Sequence, residues 1–383
     1  MHTNDSVVTT NWSKAELERS GFDSEGNRDE NLVKSAGKPQ LFPSSGFSAW
    51  LSTTGGSLFF STYQSGRIFL LGTHPDTGLY ALDRAVGTAM GLTVDKDKLW
   101  VGTRDQIWRF SNTGSGVING QHSQAVFMPR TCHLTGNSNT HDILTDVTFR
   151  GKHYNLLFAN TSFSCIAAPD EHYSFLPVWQ PKFISDLKPE DRCHLNGIGA
   201  REGELRYASF CGKTDTPLAW KEQQTGTGFI MDLATEETIC EGLSMPHSPR
   251  WHGGKLWLLN SGEGELGYVD IERKKFIPVA NCAGFARGLC FIGSYAVVGL
   301  SRLRPKKHDL PGINLHQKCI DNNINQHCGI QIFDINTGKL AHWLNIEGPV
   351  TELYDVAFLE NIASPYSPGF REPELHNSII NLP

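Results

Sequence analysis

The sequence predicts an all-β fold: a single β-propeller of six or seven four-stranded blades. Three observations lead there. Short β-rich runs return along most of the chain, separated by Gly, Asp, Asn and Ser turns, while long helical periodicity is nearly absent. The runs recur in a constant order with a period of roughly 40–60 residues, the spacing of a propeller blade. Glycine and bulky aromatics are both abundant, with 38 Gly, 9 Trp and 21 Phe. A large β-sandwich or barrel does not readily produce six in-phase copies.

The most regular element is a strongly apolar strand that ends in a small polar residue. It reads Leu58-Phe-Phe-Ser-Thr-Tyr63, Leu99-Trp-Val-Gly-Thr-Arg104, Leu156-Leu-Phe-Ala-Asn-Thr161, Leu205-Arg-Tyr-Ala-Ser-Phe210, Leu256-Trp-Leu-Leu-Asn-Ser261 and Tyr295-Ala-Val-Val-Gly-Leu-Ser301. A second strand follows each copy, for example Arg67–Leu71, Gln106–Phe110 and Gly228–Asp232, and a third follows several, for example Leu79–Asp83 and Lys275–Val279. Upstream of each copy lies a small-residue strand, centred on Trp50-Leu51, Gly91-Leu92, Asp146-Val147, Gly197-Ile198, Pro249-Arg250 and Gly288-Leu289. These are expected innermost, where blades converge and bulky side chains do not fit. Glu352–Phe358 repeats the inner pattern once more, and either begins a seventh blade or helps to close the ring.

The expected organisation is therefore a polar N-terminal extension over 1–45, a propeller over 46–360 and a tail over 361–383. The extension reads as helical over Ser13 to Arg19, and the tail lacks strand patterning. Asn112 to Pro129 and Arg302 to His327 read as long loops over one face.

Charge and cysteine usage narrow the class. Against 34 Lys and Arg stand 40 Asp and Glu, a formal charge of −6, which argues against bulk attraction to nucleic acid or an anionic membrane. The longest apolar runs, such as Tyr295 to Leu300, are far short of the ~20 residues of a membrane-spanning helix. No secretory leader is visible, and the nine cysteines are scattered without a Cys-x-x-Cys pair, so reduced thiols in a cytoplasm are expected.

Several motifs together carry a resemblance: Ser61-Thr-Tyr-Gln64, Gln106-Ile-Trp-Arg-Phe110, Asp191-Arg-Cys-His-Leu-Asn-Gly-Ile-Gly199, Pro246-His-Ser-Pro-Arg-Trp-His252 and Glu352-Leu-Tyr-Asp-Val356. In order and over most of residues 45 to 358, the chain resembles a bacterial family of conserved hypothetical β-propeller proteins known as a domain of unknown function. That resemblance implies the propeller fold and supplies no activity.

Function is then read from the segments that lead into the inner strands. Three consecutive repeats each offer a histidine there: His141, His194 and His247, which lie six, four and two positions before Val147, Ile198 and Pro249. All three offsets are even, which in an extended strand puts the side chains on one face. Three neutral imidazoles would suit a divalent transition metal (Zn, Fe, Cu or Mn), and structural hydrogen bonding or metal-free acid/base use are the alternatives. Asp142 and Asp355 are placed to orient a ligand or move a proton, while Arg250 and Arg287 would hold a carboxylate or phosphate. Asn196 and Tyr354 complete the expected substrate contacts.

Weaker candidates are a calcium site on Asp142, Asp146, Asp191 and Asp355 with Asn196 and Glu352, a role for His252, and thiolates at Cys132 or Cys193. Tyr63, Gln64 and Trp108 read as packing or turn residues. P-loop, nucleophile-elbow and dinucleotide fingerprints are missing in a strand–turn–helix context. The expected function is a metal-dependent enzyme acting on an anionic small molecule at the channel mouth. The alternative is a non-catalytic scaffold that binds a peptide or protein.

Overall fold

The computed structural model describes residues 37–118, 121–303 and 313–370. Their strands pair into six antiparallel four-stranded units. Blade 1 joins Leu353–Leu359 to Ser57–Thr62, Arg67–His74 and Gly78–Ala85. Blade 2 runs Leu92–Asp95, Lys98–Gly102, Gln106–Asn112 and Ala125–Leu134. Blade 3 runs Thr140–Phe149, Lys152–Asn160, Cys165–Ala168 and Leu176–Trp179. Blade 4 consists of Leu195–Arg201, Glu204–Phe210, Gly228–Asp232 and Glu237–Leu243. Blade 5 consists of Pro246–His252, Lys255–Asn260, Glu265–Asp270 and Lys275–Asn281. Blade 6 consists of Phe285–Ile292, Tyr295–Ser301, Cys328–Asp334 and Leu340–Glu347, with Gln40–Pro43 added at its outer edge. The first strands of the six neighbour one another in a closed cycle, which is the inner wall of a propeller.

The apolar second strands are buried on both faces, which is why they read as continuous runs. Leu58 and Phe60 face a core shared with blade 6, whereas Phe59 faces one shared with blade 2. Every neighbouring pair of blades encloses such a cluster, so the core is six inter-blade layers. The small residues of the first strands are required by close approach. A Cβ on Gly91 would lie 2.6 Å from the His141 carbonyl oxygen, and one on Gly197 would lie 2.6 Å from Pro249 Cδ.

The small polar residue that ends the second strand latches one blade to the next. Ser61 Oγ donates to Met90 O at 2.5 Å and Thr161 Oγ1 to Leu195 O at 2.6 Å. Ser261 Oγ donates to Ala286 O at 2.6 Å and Ser301 Oγ to Leu353 O at 2.8 Å. Between blades 4 and 5 the amide of Asn196 takes this part, donating to Pro246 O at 2.9 Å.

Several expectations are corrected. Trp50-Leu51 is not an inner strand but part of a helix, Phe47–Thr53, which buries Phe47 and Leu51 against blades 1 and 6. Leu353–Leu359 takes that inner place, pairing from Ser57↔Leu359 to Thr62↔Leu353, so the added inner-type strand closes the ring. Asn112 to Pro129 is not a loop, because it holds two short strands, Gly116–Ile118 and Gln121–Ser123, and the first half of the fourth strand of blade 2. Arg302 to His327 contains a helix, Leu315–Asp321, in its described part. In the tail, Pro365–Tyr366 pairs parallel with Ala125 and Val126. The helix expected over Ser13 to Arg19 lies outside the described residues. Among the described residues, no helix is long and apolar enough to cross a membrane.

Candidate functional site

The first strands do not enter the ring as regular extended chain. Their pairing with the second strand shifts register between Thr140 and Ile143, between Leu195 and Gly197, between His247 and Arg250, and between Arg287 and Leu289. Bulges of this kind re-aim side chains, and His194, Met245 and Ser248 sit at positive φ beside them. The even-offset argument for the three histidines therefore does not describe the backbone that carries them. Their neighbourhood is nevertheless shared.

The rings of His141 and His194 meet edge to face with centroids 4.8 Å apart. Tyr354 stands on the other side of His141 at 5.6 Å, and Tyr63 packs on Tyr354 at 5.5 Å. The Arg287 guanidinium lies over Tyr354 at 5.1 Å and over Phe285 at 4.9 Å, and Phe285 in turn meets His247 at 5.5 Å. His194 stacks on Trp220 at 3.9 Å. Of the residues singled out in the sequence, His141, His194, His247, Arg287 and Tyr354 come together here.

Each of the three imidazoles spends Nδ1 on the protein. His141 Nδ1 lies 2.8 Å from Asn139 O, His194 Nδ1 lies 2.9 Å from Asp191 Oδ2, and His247 Nδ1 lies 2.9 Å from Met245 O. Carbonyl and carboxylate oxygens only accept, so Nδ1 carries the proton in each ring and the neutral form presents a lone pair at Nε2. Ser261 helps to hold His247: its hydroxyl proton goes to Ala286 O, so its oxygen accepts from Nδ1 at 2.8 Å. Burial pushes the His141 imidazole well below its ordinary range, with His194, His247 and Arg287 acting in the same direction. Burial and Arg287 do the same to His247. Burial holds the Tyr354 phenol well above its ordinary value, so it remains a hydrogen-bond donor.

Three buried polar atoms in this cluster lack a partner: Tyr354 Oη, Arg287 Nε and Trp220 Nε1. Arg287 is otherwise satisfied only loosely, with Nη1 3.5 Å from Glu352 Oε2. Unpartnered buried donors around a guanidinium are what an anionic group would satisfy.

Among the described residues no group of three or more His, Cys, Asp or Glu side chains is placed to hold a metal ion. The Arg287 guanidinium also bears on two of the three histidines.

Asp142, Arg250 and Asp355 form a separate buried group. Arg250 grips Asp142 with both terminal nitrogens, Nη1 to Oδ2 at 2.8 Å and Nη2 to Oδ1 at 2.9 Å. Asp355 accepts from Leu92 N at 3.0 Å and Val356 N at 2.9 Å, and burial pushes its carboxyl up to about 7, with Arg250 opposing and Asp142 adding. Asn196 Oδ1 is buried without a partner while its amide group holds Pro246 O.

The remaining candidates are dispersed. Asp146 is exposed beside His153 at 2.9 Å, and Asp191 is engaged with His194, so the four aspartates of the calcium reading do not gather. His252 bonds Gly293 O at 2.9 Å and stacks on Phe291. Burial pushes the Cys193 thiol up to about 12 and raises Cys132 as well, so neither is a thiolate. Tyr63 packs on Tyr354, in line with its reading as a packing or turn residue. Trp220 escapes the sequence reading, because it comes from a turn, Ala219–Lys221, that interrupts blade 4. An isolated Trp in a long insertion between two strands was the available signal.

Solved structures resemble the chain only distantly. A nidogen/laminin complex matches with a TM-score of 0.47 at 10% identity, covering 80% of this chain and 99% of that one. A catalytically inactive virginiamycin B lyase from Staphylococcus aureus with quinupristin matches with a TM-score of 0.39 at 9% identity, covering 84% and 99%. The calcium-binding protein regucalcin from Agrobacterium tumefaciens matches with a TM-score of 0.39 at 11% identity, covering 75% and 79%. No curated protein matches the chain. The family match spans residues 45–367, which takes in all six blades and both buried clusters, and the chain belongs to the family described as Domain of unknown function (DUF4915).

Proposed function

We propose that the protein is an enzyme acting on an anionic small molecule at the mouth of the propeller channel, through proton transfer. Arg287 anchors a carboxylate or phosphate of the substrate, His141 and His247 accept or return a proton at Nε2, and Tyr354 donates from its phenol. The observation that carries this reading is the pair of unpartnered buried donors, Arg287 Nε and Tyr354 Oη, beside histidines held neutral. An anion bound at Arg287 would offset the charge that depresses both imidazoles and so strengthen them as bases. Lyase, isomerase or hydrolase chemistry is compatible with such a site.

The test is a thermal-shift screen of organic acids and phosphate esters on the wild type and Arg287→Gln. Hits should stabilise the wild type and lose most of their effect in Arg287→Gln, whereas His141→Gln should retain binding and lose turnover of the same compound. Hits that stabilise Arg287→Gln equally would sink the reading.

A second reading, a divalent transition metal on His141, His194 and His247, rests on one observation: all three Nδ1 atoms are engaged, as in metal-bound histidines. Elemental analysis of the wild type beside His141→Ala and His247→Ala decides it, since a bound metal must be lost in both variants.

A further inference from the structure

A cleft lies between blades 2 and 3, at the opposite end of the first strands from His141. It encloses about 590 Å3 and opens beside the hairpin turns at residues 95–98 and 149–152. That is the size of a small-molecule pocket, for which 300–1,000 Å3 is usual. The apolar core between these blades includes Trp100 and Leu156, and both also line the cleft.

The charges in the cleft are unevenly paired. Lys96 and His153 both engage Asp146, at 3.5 Å and 2.9 Å, and Lys98 lies 3.9 Å from Asp95. Among the described residues Arg109 forms no ion pair; its guanidinium lies 5.8 Å from the Trp100 ring centre. Arg109 Nε is buried without an acceptor, and so is the indole N–H of Trp100, a residue only 7% exposed. Two unsatisfied donors, one cationic, thus belong to side chains that line the same space, at a cost that a bound acceptor would remove. The rest of the wall is partly apolar, with Tyr154, Leu156, Ala168 and Pro169. A fully hydrated inorganic anion gains nothing from such a wall, whereas an organic carboxylate can place its head on the donors and its body against it.

The geometry points to a second ligand site in this cleft, one that takes a small organic monocarboxylate with an apolar or aromatic body, held by Arg109 and Trp100. It is independent of the channel-mouth site and shares no residue with it.

Benzoate is the probe, followed by saturation-transfer NMR and calorimetric titration on the full chain, with benzamide and inorganic phosphate beside it. The wild type and Arg287→Gln should bind benzoate alike, Arg109→Gln should bind it about tenfold or more weakly, and benzamide should not bind. Trp100→Phe keeps an aromatic ring, removes the N–H and should weaken binding several-fold; it serves if Arg109→Gln does not fold. The inference is overturned if the wild type shows no saturable benzoate binding, or if benzamide or phosphate displaces benzoate equally well. It is also overturned if affinity falls in Arg287→Gln and not in the cleft variants.

Discussion

Asp142 and Asp355 do the same backbone work two blades apart: each carboxylate accepts from the N–H that follows it and from an N–H in the first strand of the next blade. Only Asp142 also receives the two-pronged grip of Arg250. The difference shows in the protons. Asp355, 3% exposed, has its carboxyl raised from 3.8 to about 7, first by burial. A native-state value above the unfolded one means that the folded protein binds the extra proton, so stability contributed by this group is present in acid and is lost as pH rises from about 4 to about 7, levelling off above. The ceiling is about 4 kcal/mol for a shift of this size. Asp355→Asn does not titrate, so its stability difference from the wild type should narrow, or reverse in favour of the variant, between pH 4.5 and pH 7.5. The fixed cost of facing an amide toward two N–H groups cancels in that comparison. Urea denaturation at both pH values checks it, and a pH-independent difference would place the Asp355 proton elsewhere.

At the scale of the strand, the repeat visible in the sequence has a mechanical reason. Its terminal Ser or Thr is the donor that ties the blade to the backbone of the next at four of the six junctions, and the bond from Ser301 to Leu353 O ties blade 6 to the closing strand. Ser301→Ala leaves a buried carbonyl without its partner, which costs about 1–3 kcal/mol. The midpoint of urea unfolding should fall accordingly, and more than for Thr113→Ala, whose hydroxyl bonds Val126 O at an exposed site. An unchanged midpoint would mean that the closure does not depend on this latch.

The same comparison shows what was legible. Strand runs buried on both faces advertise themselves by composition, so the second strands of all six blades were readable. The fourth strand of blade 2 was not, because Pro129 and a register shift between Pro129 and Thr131 break its alternation. The histidines were found as a group, yet by a parity rule that the bulges at Thr140/Ile143 and His247/Arg250 remove. Side-chain direction near a bulge depends on tertiary pairing, which a period in the sequence does not encode. Likewise, Arg250 and Arg287 look equivalent in sequence. Only the fold gives one of them a two-pronged carboxylate partner and leaves Nε of the other unpartnered.

For the whole molecule, the decisive feature is that blade 1 is assembled from both ends of the described chain. Leu353–Leu359 supplies its first strand, pairs along Ser57–Thr62, and neighbours the first strands of blades 2 and 6. The strand also puts Leu353 and Val356 into the core between blades 6 and 1, and Leu359 into the core between blades 1 and 2. Removing it would therefore open two of the six apolar layers and strip an edge strand of its hydrogen-bond partners. A chain ending at residue 350 should lose the cooperative melt of the full chain, bind a hydrophobic dye at ambient temperature and associate with itself. The loss should reach past blade 1, because Tyr354 and Asp355 leave with the strand, and with them the phenol against His141 and the acceptor for Leu92 N. Adding a synthetic peptide of residues 351–361 to the truncated chain tests the cause. Recovery of a single sharp transition would assign the defect to the missing strand, and a truncated chain that melts like the full one would show that the ring holds without its closure.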